Sequence, residues 1–104
     1  MTPVSFVPHR TPLVRGIAVS AHLFLDRTVD VEDAAGTYRD FYSDAPFVRV
    51  TPTPPAVADV WGSNRCDLSV AASGTMVSVC TAIDNLVKGA AGQALQNANL
   101  MNGW

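Results

Sequence analysis

Residues 66–83 read CDLSVAASGTMVSVCTAI, and their reading decides the fold. Cys66, Leu68, Val70 and Ala72 alternate with Arg65, Asp67 and Ser69, and beyond a Ser73-Gly74 turn Val77, Val79, Thr81 and Ile83 alternate again. A period of two on both sides of a small-residue turn is a β-hairpin, because successive strand side chains point to opposite faces. With Ser73 and Gly74 as the two loop residues, Ala72 pairs with Thr75, Cys66 falls opposite Thr81, and Cys80 falls opposite Asp67. That register puts the two thiols on opposite faces of the sheet, where they cannot bridge.

Working outward, residues 84–104 carry Leu86, Val87, Ala90, Ala91, Ala94, Leu95, Ala98 and Met101 at helical spacing, which predicts a helix over Leu86–Met101. Gly89 and Gly92 each cost about 1 kcal/mol relative to Ala inside such a helix, so close approach of a backbone or a ligand is expected to offset them. Upstream, TPTPP at 51–55 is an internal loop, and Phe47–Val50 is a short strand. Val31, Ala34, Ala35, Tyr38, Phe41 and Tyr42 give a second amphipathic helix, with Asp30 as N-cap, Glu32 and Asp33 complementing the dipole, and Pro46 closing the element. Ile17–Leu25 alternates cleanly as a strand, and Val4–Val7 reads as another, ended by Pro8 and Pro12. The expected fold is α/β (α+β): a mixed sheet of Val4–Val7, Ile17–Leu25, Phe47–Val50, Cys66–Ala72 and Thr75–Ile83, covered by helices near Val31–Tyr42 and Leu86–Met101.

The 104 residues make one domain, 48% hydrophobic and only 15% charged, with a net charge of −2. That balance offers no electrostatic footprint for nucleic acid or anionic lipid, and Arg15, His22 and Asp26 interrupt the best candidate membrane span. Pro8, Pro12 and Asp26 fit an export signal poorly, so a cytoplasmic protein with two free thiols is expected. The low charged share reads as hidden interface: a homo-oligomer with an interface above roughly 1,000 Å² is expected, and sedimentation at tens of micromolar checks it.

The tail VCTAIDNLVKGAAGQALQNANLMNGW (79–104), the segment GSNRCDLSV (62–70) and the opening VSFVPHRTPLVRGI (4–17) together resemble the C-terminal part of the N-acetyl-gamma-glutamyl-phosphate reductases. DNLVKGAA alone is similar also to aspartate-semialdehyde dehydrogenases; the GSNRCD turn and the VPHRTPLVRGI opening distinguish the two. The resemblance implies a two-domain enzyme, with a Rossmann domain for NADPH and an α/β domain like the C-terminal domain of glyceraldehyde-phosphate dehydrogenase for substrate and dimerisation. It implies that residues 1–104 are the substrate and dimerisation domain, and that the Rossmann domain is absent from this chain. A cysteine thiolate attacks the acyl phosphate, phosphate leaves, and hydride from NADPH reduces the thioester to the semialdehyde. The family's Pro-Gly-Cys nucleophile and His-x-His-x-x-Glu base motifs do not occur in this sequence, so no catalytic residue is assigned here and the isolated chain is expected to be inactive.

The residues themselves agree that the chemistry is incomplete. The glycines form no GxGxxG or Walker pattern, no metal-ligand spacing is present, and no Ser, His and acid arrangement supports a hydrolase. Cys66 and Cys80 read as strand residues rather than nucleophiles, His22 as structural, and Lys88, the only lysine, as solvated. His9, on a connection, and Arg15 nearby are candidates for substrate binding through a phosphate or carboxylate. Asn85 follows a good capping residue, Asp84, and one reading makes it a turn amide. The resemblance gives it a second reading, contact with the nicotinamide carboxamide of NADP, a task suited to a side chain that offers donor and acceptor without ionising. The alternative for the whole chain is a free-standing, non-catalytic binding or regulatory module of the same fold.

Overall fold

A computed structural model describes residues 3–104. Its elements run β1 (Ile17–Phe24), α1 (Val31–Phe41), β2 (Val48–Val50), a 3₁₀ turn (Val57–Val60), β3 (Cys66–Ser73), β4 (Met76–Ile83), a π turn (Val87–Ala91) and α2 (Gly92–Met101). The four strands form one sheet in the order β1-β4-β3-β2, antiparallel except for the parallel β2–β3 pair. The sheet is therefore mixed, as the α+β reading requires.

α1 begins where the sequence places it. The Asp30 carboxylate accepts the Glu32 N–H at 2.8 Å, and Glu32 and Asp33 sit in the positive first turn. Its apolar stripe seats Ala34, Tyr38 and Tyr42 on Leu68, Val70, Ala72, Val77 and Val79, with Val48 and Val50 at the side. Those sheet residues share one face, since Leu68 pairs with Thr81, Val70 with Val79 and Ala72 with Val77. On the opposite face Val60, Asp67, Ser69 and Ala82 are buried.

Three expectations need correction. Val4–Val7 is not a strand: residues 3–16 carry no regular structure, and Val4, Phe6 and Val7 are exposed, because two prolines remove ladder donors and no described strand pairs with them. The hairpin loop is Gly74-Thr75 rather than Ser73-Gly74, so Ser73 pairs with Met76, Cys66 with Ile83 and Cys80 with Ser69. Gly74 has φ +60° and no non-glycine residue among the described residues has a positive φ, which fits a type II′ turn with glycine first. The slip is two residues, so every side chain keeps its face and the thiols remain free on opposite faces. The last helix is broken: a π turn with a non-helical Ala90 precedes α2, and α2 buries none of its own residues.

The accessible surface is 7654 Å², against about 5,600 Å² for a globular monomer of this size. The radius of gyration, 15.1 Å, exceeds the roughly 13 Å expected. Much of the surplus is apolar, with Ile17, Val19 and Leu23 of β1 and Leu95, Leu100 and Trp104 of the C-terminal segment all exposed. This is surface that more protein would cover. Among the described residues no helix is long and apolar enough to cross a membrane.

Candidate functional site

The end of β4 delivers Asp84 and Asn85 to the point where the chain enters its last helical segment. Asp84 is completely buried, and its carboxylate collects four donors. Oδ1 accepts the N–H groups of Leu86 at 2.8 Å and Val87 at 3.1 Å, which caps the π turn. Oδ2 accepts the Gly62 N–H at 2.7 Å and meets Arg15 Nη2 at 2.7 Å. Burial alone would push this carboxyl up, but the Arg15 hydrogen bond and the three backbone donors outweigh it and bring its pKa down to about 2.

Asn85 completes the junction. Its Oδ1 accepts the Gly16 N–H at 2.7 Å, and the Trp61 indole N–H donates to the Arg15 carbonyl at 3.1 Å. The dipeptide Arg15-Gly16 is thus clamped onto Asp84-Asn85. With Oδ1 occupied, the amide has its NH₂ left to offer a ligand.

The depressed pKa has a sign. A carboxyl whose folded pKa lies below its unfolded value contributes stability that is fully present above about pH 4 and is lost as the pH falls toward 2. Thermal melts from pH 5 to 2 are expected to show that loss in the wild type and a flatter profile in Asp84→Asn.

A second cluster lines the C-terminal segment. Lys88 Nζ donates to Gln96 Oε1 at 2.7 Å, Asn64 Nδ2 donates to the same oxygen at 3.1 Å, and Lys88 lies 5.6 Å over the Phe47 ring. Lys88 is therefore partnered rather than simply solvated. Asn64 and Gln96 border a cleft of about 660 Å³ walled by Pro46, Phe47, Val87, Leu95 and Trp104. Gly92 is explained here: a Cβ at this position would overlap Asn64 Oδ1 and lie 2.7 Å from Val87 Cγ1. Gly89 meets only ordinary contacts.

Of the residues singled out in the sequence, Arg15 and Asn85 are brought to one junction, whereas His9 lies on the exposed 3–14 stretch. His22 pairs with Ser78 (Nδ1 to Oγ 2.8 Å) on the sheet surface. Burial pushes the Cys66 thiol up, Lys88 pulls it partly back, and Asp67 adds to the rise. Among the described residues no three His, Cys, Asp or Glu side chains converge on a metal position. Sequence reasoning undervalued Asp84, reading it only as a local cap. Its ion pair with Arg15 spans 69 positions and carries no local signal.

A four-stranded mixed sheet with α1 packed on one face, an Arg15–Asp84 junction at the end of β4 and a large exposed apolar surface define an α+β domain. The family described as semialdehyde dehydrogenase, dimerisation domain, matches residues 1–85, and the chain belongs to it. More particularly, the chain is similar to the N-acetyl-gamma-glutamyl-phosphate reductase of Methanosarcina mazei, 50% identical over 102 residues that cover 96% of this chain and 30% of the relative. It is similar also to the reductase of that name from Bacillus subtilis, 43% identical over 106 residues covering 98% of this chain and 31% of the relative. The chain spans about three tenths of the length of the curated relatives it matches.

Proposed function

We propose that this chain is the substrate and dimerisation domain of an NADPH-dependent reductase that converts N-acetyl-gamma-glutamyl phosphate to the semialdehyde and phosphate in arginine biosynthesis. The observation that carries this reading is similarity to reductases of that name along nearly the whole chain, at 43–50% identity. The geometry at Asp84-Asn85 supports it. NADPH would supply the hydride, and the rest of its binding, with the nucleophilic cysteine and its base, would come from outside residues 1–104. Within this chain, Asn85 would offer its NH₂ to the carboxamide carbonyl, and Arg15 would face an anionic group of the substrate. His9 is the second proposed substrate contact, by virtue of its place on the connection leading to Arg15.

The exposed row on β1 and the family's dimerisation role support a homo-oligomer, and the free thiols suit a cytoplasmic setting.

The test is turnover. The complete protein carrying this chain is expected to oxidise NADPH in the presence of N-acetyl-gamma-glutamyl phosphate. The 104-residue chain alone is expected to show no turnover and no NADPH binding tighter than about millimolar. Absence of turnover by the complete protein would leave the non-catalytic module as the better reading. Asn85→Asp sharpens the assignment, because it keeps an acceptor for the Gly16 N–H while a second, negatively charged oxygen replaces the NH₂ donor. Its KM for NADPH is expected to rise at least about tenfold, a loss of roughly 1.4 kcal/mol.

A further inference from the structure

The molecule contains two buried carboxylates paired with arginine, and they are built differently. Asp67 takes Arg49 through two nitrogens, Nε at 3.1 Å and Nη2, so that the fork is spent on the ion pair. Asp84 takes Arg15 through Nη2 alone. Arg15 Nε is buried without a hydrogen-bond acceptor, while 34% of the side chain as a whole is open to solvent, so the open side is the terminal part of the guanidinium.

The second difference is how the carboxylate is satisfied. Three backbone N–H groups, from Gly62, Leu86 and Val87, already meet Asp84, so the guanidinium is not its only compensation. Such a pair has positive character to spare on the open side of the arginine. The backbone around it is pinned as well: the Arg15 carbonyl accepts from Trp61, and the Gly16 N–H donates to Asn85. A surface arginine loses rotamer entropy when it binds a ligand; here part of that cost is met in folding.

We propose that Asp84 is a positioning residue that holds Arg15 by one nitrogen, so that the rest of the guanidinium receives an oxyanion of the ligand, a carboxylate or a phosphate, beside the Asn85 amide. The assignment rests on the reading of this chain as a substrate domain and adds to it the residue that aims the arginine. A planar guanidinium suits either anion, because both can accept two parallel N–H bonds.

The experiment uses the complete protein and the variants Arg15→Lys and Asp84→Asn, singly and together. Arg15→Lys keeps the charge and loses the planar fork; it guards against the case in which Asp84→Asn fails to fold. Each single change is expected to raise KM for the acyl phosphate about tenfold with a smaller change in kcat, and the double variant to be no worse than the poorer single one, since the two act as a unit. Inhibition by inorganic phosphate and by N-acetylglutamate, which has the carboxylates without the phosphate, separates the two sources: the probe whose inhibition constant rises in Arg15→Lys is the one the arginine holds. If the complete protein turns over no acyl phosphate, calorimetric binding of the same two probes to wild type and Arg15→Lys decides the matter. Loss of either probe supports the proposal, and equal binding overturns it. It is also overturned if Arg15→Lys leaves KM and both inhibition constants unchanged. A rise in Arg15→Lys alone, with a folded Asp84→Asn changing only the melting temperature, would keep Arg15 as a ligand contact and remove Asp84 as its positioner.

Discussion

Gly16→Ala is expected to destabilise the protein by about 3 kcal/mol or more. Gly16 has φ +105°, a region that costs an L side chain about 1–3 kcal/mol. A Cβ there would also overlap Val57 Cγ1 and lie 3.3 Å from the Ile83 carbonyl oxygen, and overpacking of this kind costs a further 1–3 kcal/mol or so. The overlap is with the branched end of a half-buried side chain, the strain with the backbone itself, and a second substitution separates them. Val57→Ala in the Gly16→Ala background should recover the overpacking share and leave the φ share. Because the Gly16 N–H holds Asn85 Oδ1, KM for NADPH should rise along with the loss of stability. Urea unfolding midpoints that match the wild type would mean that the backbone at 16 adopts another conformation in solution.

The hairpin and α1 were legible because their signals are local. Period-two alternation survives an error in the turn as long as the slip is even, which is why placing the loop at Ser73-Gly74 still kept Leu68, Val70, Val77 and Val79 on one face, the face that α1 covers. The turn itself was misplaced by one residue, since Ser-Gly and Gly-Thr are both plausible loops until φ at Gly74 selects type II′. At the C-terminal segment the 3.6-residue pattern is present, but Asp84 draws the Leu86 and Val87 N–H groups onto its side chain, and the Gly89 N–H reaches back to the Asp84 carbonyl at 3.0 Å. A wide turn follows that no periodicity encodes. Of the site, Asn85 and Arg15 could be singled out by residue type and resemblance. Their meeting could not, because it depends on β1 pairing with β4 across some 65 residues.

The same distinction between local and distant partners sets the second large effect, at Asp67. β2 is only three residues long and lies parallel to β3, a pairing slightly weaker per residue than the antiparallel kind, so its hydrogen bonds alone fix it poorly. Arg49 and Asp67 are register partners in that ladder, and the ion pair between them crosses it on the face away from α1. The hydrogen bond and charge of Asp67 raise the Arg49 pKa, and Arg65 Nε approaches the same carboxylate at 3.4 Å. Asp67→Ala would remove the carboxylate that Arg49 and Arg65 share, leaving Asp59 as the remaining acidic charge acting on Arg49. Breaking a fully buried pair costs about 3–5 kcal/mol; Arg49 and Arg65 are partly exposed and can turn to water, so about 2–3 kcal/mol is expected. Arg49→Ala should cost less, since Asp67 would keep Arg65, and the double change should cost less than the sum of the two. The loss should be concentrated at β2: amide exchange at Thr51, whose N–H donates to the Leu68 carbonyl, should speed up far more than exchange in β4. Uniform acceleration across the sheet would mean that Asp67 supports the whole domain rather than the register of its shortest strand.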